Sequence, residues 1–436
     1  MQVQTHSNYL ESLLQGSASV TDAGANWLRQ LRMRAVERAN EMSVPTTRDE
    51  DWRFTDLTSL YRSSFRPISS ATAFQESELS DLFIPEAHTR LVFVDGIYAA
   101  NLSRVTEQRG VTIANLAELS TAAGAIAESR LGKLALIDED AFAAVNTAFL
   151  RDGALVHIAP GYRSDSPIHL LFIATSKDGA AYPRVLVVAE AGTECTVVED
   201  FVGRVDAAYF TDAVSEVHVG ENARVSHVKL QREAHSAFHI ANTSVNVANN
   251  GSYATWTVAF GGRISRHNLS IVQAGAGTQF SVDGLALIGG RQLADMHSSI
   301  DHAYPSGRSR QLHKTVAGGA AHAVFNGKIL VREGAQQTDS GQQSRNLLLS
   351  NKAHIDTKPQ LEIFADDVKC AHGATVGQID LEELFYLKSR GLSETAARNL
   401  LTYAFAAQVI NGIPVQSLAK RLEKTVLEQT HMKGPG

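Results

Sequence analysis

Cysteine is nearly absent: the 436-residue sequence holds only Cys195 and Cys370. Two thiols make no disulfide framework, so the chain fits a reducing compartment, and the cytoplasm is the expected location. No apolar run approaches the roughly 18 residues of a spanning helix, so no membrane insertion is expected. The opening residues, MQVQTHSNYLESLLQG, lack the basic stretch and apolar core of a secretory signal, and Glu11 and Asp22 are out of place in a transit peptide. Neither sign of charge dominates. With 40 basic against 46 acidic residues the net charge is −6, which argues against binding nucleic acid or an anionic membrane through bulk charge.

The common catalytic engines are missing as well. No G-x-x-x-x-G-K-[ST] occurs, so the chain is not itself a P-loop ATPase, and GAGTQF lacks the third glycine of the dinucleotide fingerprint. H-E-x-x-H and G-x-S-x-G are absent. Without any C-x-x-C, neither a zinc ribbon nor a four-thiolate cluster can be built from this chain alone.

What is present falls into three parts. Residues 1–87 are helical in character: Thr21 or Asp22 can cap a helix through NWLRQLRMRAVERANEM, where Trp27, Leu31 and Ala35 recur at i, i+4. In EDWRFTDLTSLY, Trp52 and Phe54 read as a plug that docks this segment on the next domain. Residues 88–376 are β-rich, with one helical interruption near 115–150. Asp95-Gly96 between alternating apolar runs signals a hairpin. After Pro160 a glycine-containing turn and a short strand alternate, and Gly192, Gly220, Gly251 and Gly277 mark a rough repeat. Such a text suits a sandwich, a barrel or a parallel solenoid. The length of the run and the in-phase turns favour the solenoid, with small and β-branched residues inside and helical segments capping its ends. Residues 377–436 are helical again. Asp380 and Ser393 stand at cap positions, Leu401, Phe405 and Val409 form one stripe, and Leu418, Leu422 and Val426 form another.

The chemistry concentrates in DDVKCAHGATVGQ. In a strand, Cys370 and His372 share a face about 6.6 Å apart at ~3.3 Å per residue. That is loose for a nucleophile pair joined by a hydrogen bond. It suits two ligands leaning onto one iron or onto neighbouring atoms of a cluster, which needs about four protein ligands. The missing ones must come from another chain or another part of this one. Read structurally instead, Cys370 is a small buried hydrophobe and His372 a turn residue. Cys195 reads as core. His235 and His239, His297 and His302, and His313 and His322 read as polar residues on a solenoid face, because no helix sets a chelating spacing.

The stretch DDVKCAHGATVGQIDLEELFYLKSRGLSETAARNLLTYAFAAQVI closely resembles the C-terminal signature of the SufB/SufD family, scaffold subunits of the SUF iron–sulfur cluster assembly machinery. QQTDSGQQSRNLLLSNKAHIDTKPQLEIFADDVKCAHGA extends the match upstream, and DEDWRFTDLTSLY resembles the entry segment of the SufD branch. The resemblance implies a mainly β fold, a right-handed parallel β-helix core flanked by N-terminal and C-terminal α-helical domains. It implies a SufD-type subunit that pairs with a SufB-type scaffold, or with itself as a homodimer. It also implies docking of a SufC-type ABC ATPase on the C-terminal helices, through a surface including Leu384, Phe385, Leu387, Leu401 and Tyr403. Cys370 and His372 match the residues associated with a transient Fe–S cluster or iron shared with the partner. A reduced flavin in the complex is a further implied cofactor. The chain would thus be a scaffold and no enzyme, the ATPase activity residing in the partner. A non-ligating structural adaptor, a homodimer that recruits the ATPase, is the alternative. A β-helix enzyme acting on polysaccharide would need clustered acidic or calcium-binding residues, and only Asp366–Asp367 stands out.

Overall fold

Six residues in the left-handed backbone region set the period of the molecule. Gly192, Asn222, Asn250, Gly277, Ser306 and Gln337 have φ between 53° and 69°, and they recur every 27 to 31 residues. Each amide donates to a carbonyl in the next turn, from Gly192 to Glu221 (2.8 Å) through to Gln337 and Asp367 (2.6 Å). Glycine and asparagine adopt this conformation at small cost, whereas Ser306 and Gln337 are held there by the turns stacked on them. Gly220 and Gly251 are not left-handed. They sit where turns pack closely, and a Cβ on Gly220 would lie 2.7 Å from the Ala191 nitrogen.

The computed structural model describes residues 24–432, together with Tyr9, Leu10, Leu13, Leu14, Gly16 and Ser17. Between the stacked turns run strands of mostly ten residues, paired in parallel and in register into two sheets that face one another, an 11-stranded and a 10-stranded one. The result is a parallel β-solenoid. At its N-terminal end the sheets close with antiparallel pairs, one of them the hairpin at Asp95-Gly96, where Val94 pairs with Ile97. At the other end stand His354–Ile363 and Lys369–Gln378, each paired on one side only among the described residues.

The interior is less simple than small β-branched packing. Phe93, Phe172 and Phe201 stack at 5.0 and 4.8 Å. Beyond them the lumen is polar: Glu199 accepts from Lys229 (2.8 Å) and lies 3.0 Å from His227, all three buried. Burial opposes ionisation of Glu199, but the Lys229 ammonium and His227 hold its carboxyl well below the usual range. His239, His302 and His313 are likewise buried inside the coil, a correction to their reading as face residues.

Helices cover both outer faces. The helix Asn26–Glu41 buries Leu28, Arg32, Ala35 and Ala39, with Trp27 and Leu31 of the expected stripe half-buried against the same core, and the Arg32 guanidinium turns inward to donate to the Leu150 carbonyl (2.6 Å). Thr21 and Asp22, the expected caps, lie outside the described residues. Trp52 is buried under the Arg266 guanidinium, 3.6 Å from its ring, and so docks its segment on the solenoid, while Phe54 is half-buried. The helices Thr121–Arg130 and Ala141–Ala148 form the interruption. On the other sheet lie Leu381–Ser389, Glu394–Ile410 and Gln416–Met432, whose Leu384, Val409, Leu418 and Val426 pack against Val228, Trp256 and Val258. Asp380 caps the first of these by accepting from Glu382 (2.7 Å) and Ser393 the second by accepting from Ala396 (3.2 Å).

Candidate functional site at the open end of the solenoid

Strand register builds the site. Cys370 pairs with Ser340, His372 with Gln342, Ala374 with Ser344 and Val376 with Asn346. Ser340, Gln342, Ser344 and Asn346 are buried inward-facing residues, so Cys370 and His372 continue the inner column onto a rung that no further rung covers. The opposite sheet ends in the same way, with Ile355, Thr357, Pro359, Leu361 and Ile363 in register with the inward residues of the strand His322–Val331. Ile363, Phe364 and Val376 are exposed there.

Within that rung the two candidates differ. Cys370 is half-buried and packs beside Leu361 and Val368 against the cluster of Ile329, Val331, Ala335 and Ala365. Burial raises its thiol pKa, the Asp339 carboxylate adds to this, and a backbone hydrogen bond from Ser340 partly offsets it. The thiol is therefore held protonated, and a metal or a cation beside it is needed to make it a ligand or nucleophile. His372 is exposed and lines an open groove of about 590 Å³. Asp283, Arg310, Arg345, Thr375 and Gln408 also line the groove. Burial pushes the Asp283 carboxyl up to about 6. These charged residues escaped sequence reading, since they come from three different strands. The signal was the turn period: register carries Asp283 to Leu312, Gln343 and Gly373, and Arg310 to Gly341 and Ala371.

Cys195 is far from this place. It is 3% exposed inside the coil, and burial, with the Glu194 charge, pushes its thiol up to about 12. The helical residues expected to face an ATPase also separate. Phe385 is 73% exposed, Leu387, Leu401 and Tyr403 are half-buried against the core, and Leu384 is buried in it. Leu384 thus anchors its helix, while the neighbouring apolar surface comes from Leu381 and Tyr386, neither of which was among the residues expected to face an ATPase.

Most of the chain matches one family. A model of the SufBD protein N-terminal region covers residues 3–170, and one described as SUF system FeS cluster assembly, SufBD core domain, covers residues 172–405. The chain belongs to the SufBD family. It is 37% identical to an iron–sulfur cluster assembly SufBD family protein of Synechocystis, over 95% of this chain and 93% of that one. It is 34% identical to the iron–sulfur cluster assembly protein SufD of Escherichia coli, over 87% and 88% of the two chains. With SufD of Bacillus subtilis it shares 27% over 92% and 93%. The SufBD core match begins within the strand Ile168–Ala174 and runs through the solenoid into the helix Glu394–Ile410. It therefore contains the uncovered rung with Cys370 and His372. Among the described residues, no helix is long and apolar enough to cross a membrane.

Proposed function

We propose that this chain is a SufD-type subunit of a SUF iron–sulfur assembly complex, and that its last rung is one half of an assembly site. The observation that carries the reading is the open end. Two ten-residue edge strands, one in each sheet, offer unpaired backbone beside the apolar side chains of Ile363, Phe364 and Val376. Such an edge is a template for another strand. A SufB-type scaffold completing both sheets would bury Cys370 and His372 at the junction and supply the remaining ligands. A second copy of this chain could occupy the same edges as a homodimer.

The half-site has a physical logic. A neutral, half-buried thiol and an exposed imidazole make a weak pair on their own. Beside a partner's cation or an arriving iron the thiol would lose its proton, and the imidazole would add a neutral nitrogen ligand. The iron and sulfide here are cargo, passed on once the cluster is built. ATP hydrolysis belongs to a SufC-type partner, for which Phe385, Leu381 and Tyr386 form an exposed apolar surface on the C-terminal helices. A cytoplasmic setting agrees with two cysteines that form no disulfide.

The packing of Cys370 against Leu361 and Val368 favours one other reading, a structural adaptor that contributes no ligand. Anaerobic co-expression with SufB- and SufC-type partners separates the two. Iron and acid-labile sulfide per assembled complex are compared for wild type, Cys370→Ala and His372→Ala. Loss of the cluster in a complex that still assembles supports the half-site, and normal loading of both variants supports the adaptor.

A further inference from the structure

The geometry points to a divalent-cation site formed by His322, His354 and Asp356 on the outer face of the 11-stranded sheet, separate from the last-rung thiol. His322 and His354 are register partners on adjacent parallel strands, and Asp356 follows two residues later on the same face. Their ligand atoms all lie within 4.8 Å of one another. His322 Nε2 is 2.7 Å and His354 Nε2 is 3.2 Å from the same Asp356 oxygen, and the two rings stand 5.2 Å apart. A tetrahedral zinc with bonds of about 2.1 Å holds its donors ~3.4 Å apart. Small side-chain rotations therefore suffice to place a cation between the three groups.

Two imidazoles and one carboxylate, with the remaining positions open, form a donor set for a borderline cation such as Zn²⁺ or Fe²⁺. Parallel pairing over ten residues fixes the spacing between the two strands, as a preorganised site requires. The surrounding charges leave the carboxylate available. Lys358, two residues beyond Asp356, is engaged by Glu50 at 2.7 Å, and among the described residues no lysine or arginine pairs with Asp356. His354 is 68% exposed and Asp356 23%, so a cation has access. Seven residues separate Asp356 from Ile363, where the chain turns towards Cys370, which is about 23 Å of strand. The triad and the thiol thus mark opposite ends of one rung. His313, which the sequence sets beside His322, is inside the coil and takes no part.

The test is titration of the untagged full-length chain with Zn²⁺ at pH 7.5, followed by calorimetry, and with Co²⁺, followed by visible absorption. One equivalent is expected. His354→Ala and Asp356→Asn should each weaken it by more than about tenfold, and the Cys370→Ala/His372→Ala chain should bind as wild type. Because His354 is largely exposed, its substitution should leave the thermal melt unchanged. The proposal is overturned if wild type takes up no cation, if the His354 and Asp356 variants bind unchanged, or if binding is lost with Cys370 and His372 instead.

Discussion

Cys195 and Cys370 stand in the same inward-facing column of the solenoid, six strands apart. Register carries Cys195 to Val225, Tyr253, Phe280, Ser309, Ser340 and then Cys370, a separation of about 29 Å at ~4.8 Å per strand. The same column gives the two thiols opposite environments, because rungs bury the first from both sides and the last from one side only.

That contrast predicts their reactivity. In the native chain an alkylating reagent at pH 8 should modify Cys370 slowly, in keeping with its raised pKa, and leave Cys195 intact until the protein unfolds. Mass spectrometry of the labelled peptides would check this. Equal labelling of both thiols under native conditions would contradict the register.

The insert near 115–150 is pinned by a buried ion pair. Arg184 and Glu216 meet at 2.5 Å, neither side chain reached by water. Glu216 also accepts from the amides of Gly132 (2.8 Å), Leu134 (2.7 Å) and Ala135 (3.1 Å), and Arg184 donates to Asn146 and Thr147. Arg184→Met leaves a buried carboxylate without its cation and should cost about 3–5 kcal/mol. Adding Glu216→Gln should recover part of that loss. Urea denaturation and proteolysis of the insert measure both; a destabilisation under about 1 kcal/mol would show the pair to be dispensable.

Acid should weaken the fold through its interior histidines. His302, held between Gln273 and Ser309 at 3.0 Å from each, has its pKa lowered to about 4 by burial. His313 is lowered to about 3 for the same reason. Both are neutral when folded, whereas the unfolded chain protonates them near pH 6.5. Below that pH the unfolded state binds more protons, so stability falls as pH drops from about 6.5 towards 4, by up to about 1.4 kcal/mol per pH unit per histidine. Above pH 6.5 they contribute no slope. His313→Gln should flatten this limb in urea midpoints taken between pH 7.5 and 5, and an unchanged slope would remove His313 as its cause.

The parallel solenoid was readable because its turns are punctuated and its strands alternate, and both are local properties. His239, His302 and His313 were misplaced because one strand carries inward and outward residues alike, so facing depends on a register that only the rung above defines. In the helix Asn26–Glu41 the stripe of Trp27, Leu31 and Ala35 packs on the core, but the inward Arg32 was missed because hydropathy assigns its charge to solvent. Cys370 and His372 were found through a contiguous motif. Asp283, Arg310 and Arg345 were missed because turn-to-turn stacking, and no nearness in sequence, brings them beside His372. The triad of His322, His354 and Asp356 escaped for the same reason, its members lying 32 and 34 residues apart.

The central claim is that the last rung is half of a site, and the most direct measurement is iron and acid-labile sulfide on this chain purified anaerobically, alone and in complex with a SufB-type partner. The chain alone should carry no acid-labile sulfide, with any iron assignable to the histidine triad, and the complex should carry a cluster that Cys370→Ala or His372→Ala removes. A stable stoichiometric cluster on the isolated chain would contradict the claim, because two ligands at an uncovered edge cannot hold one.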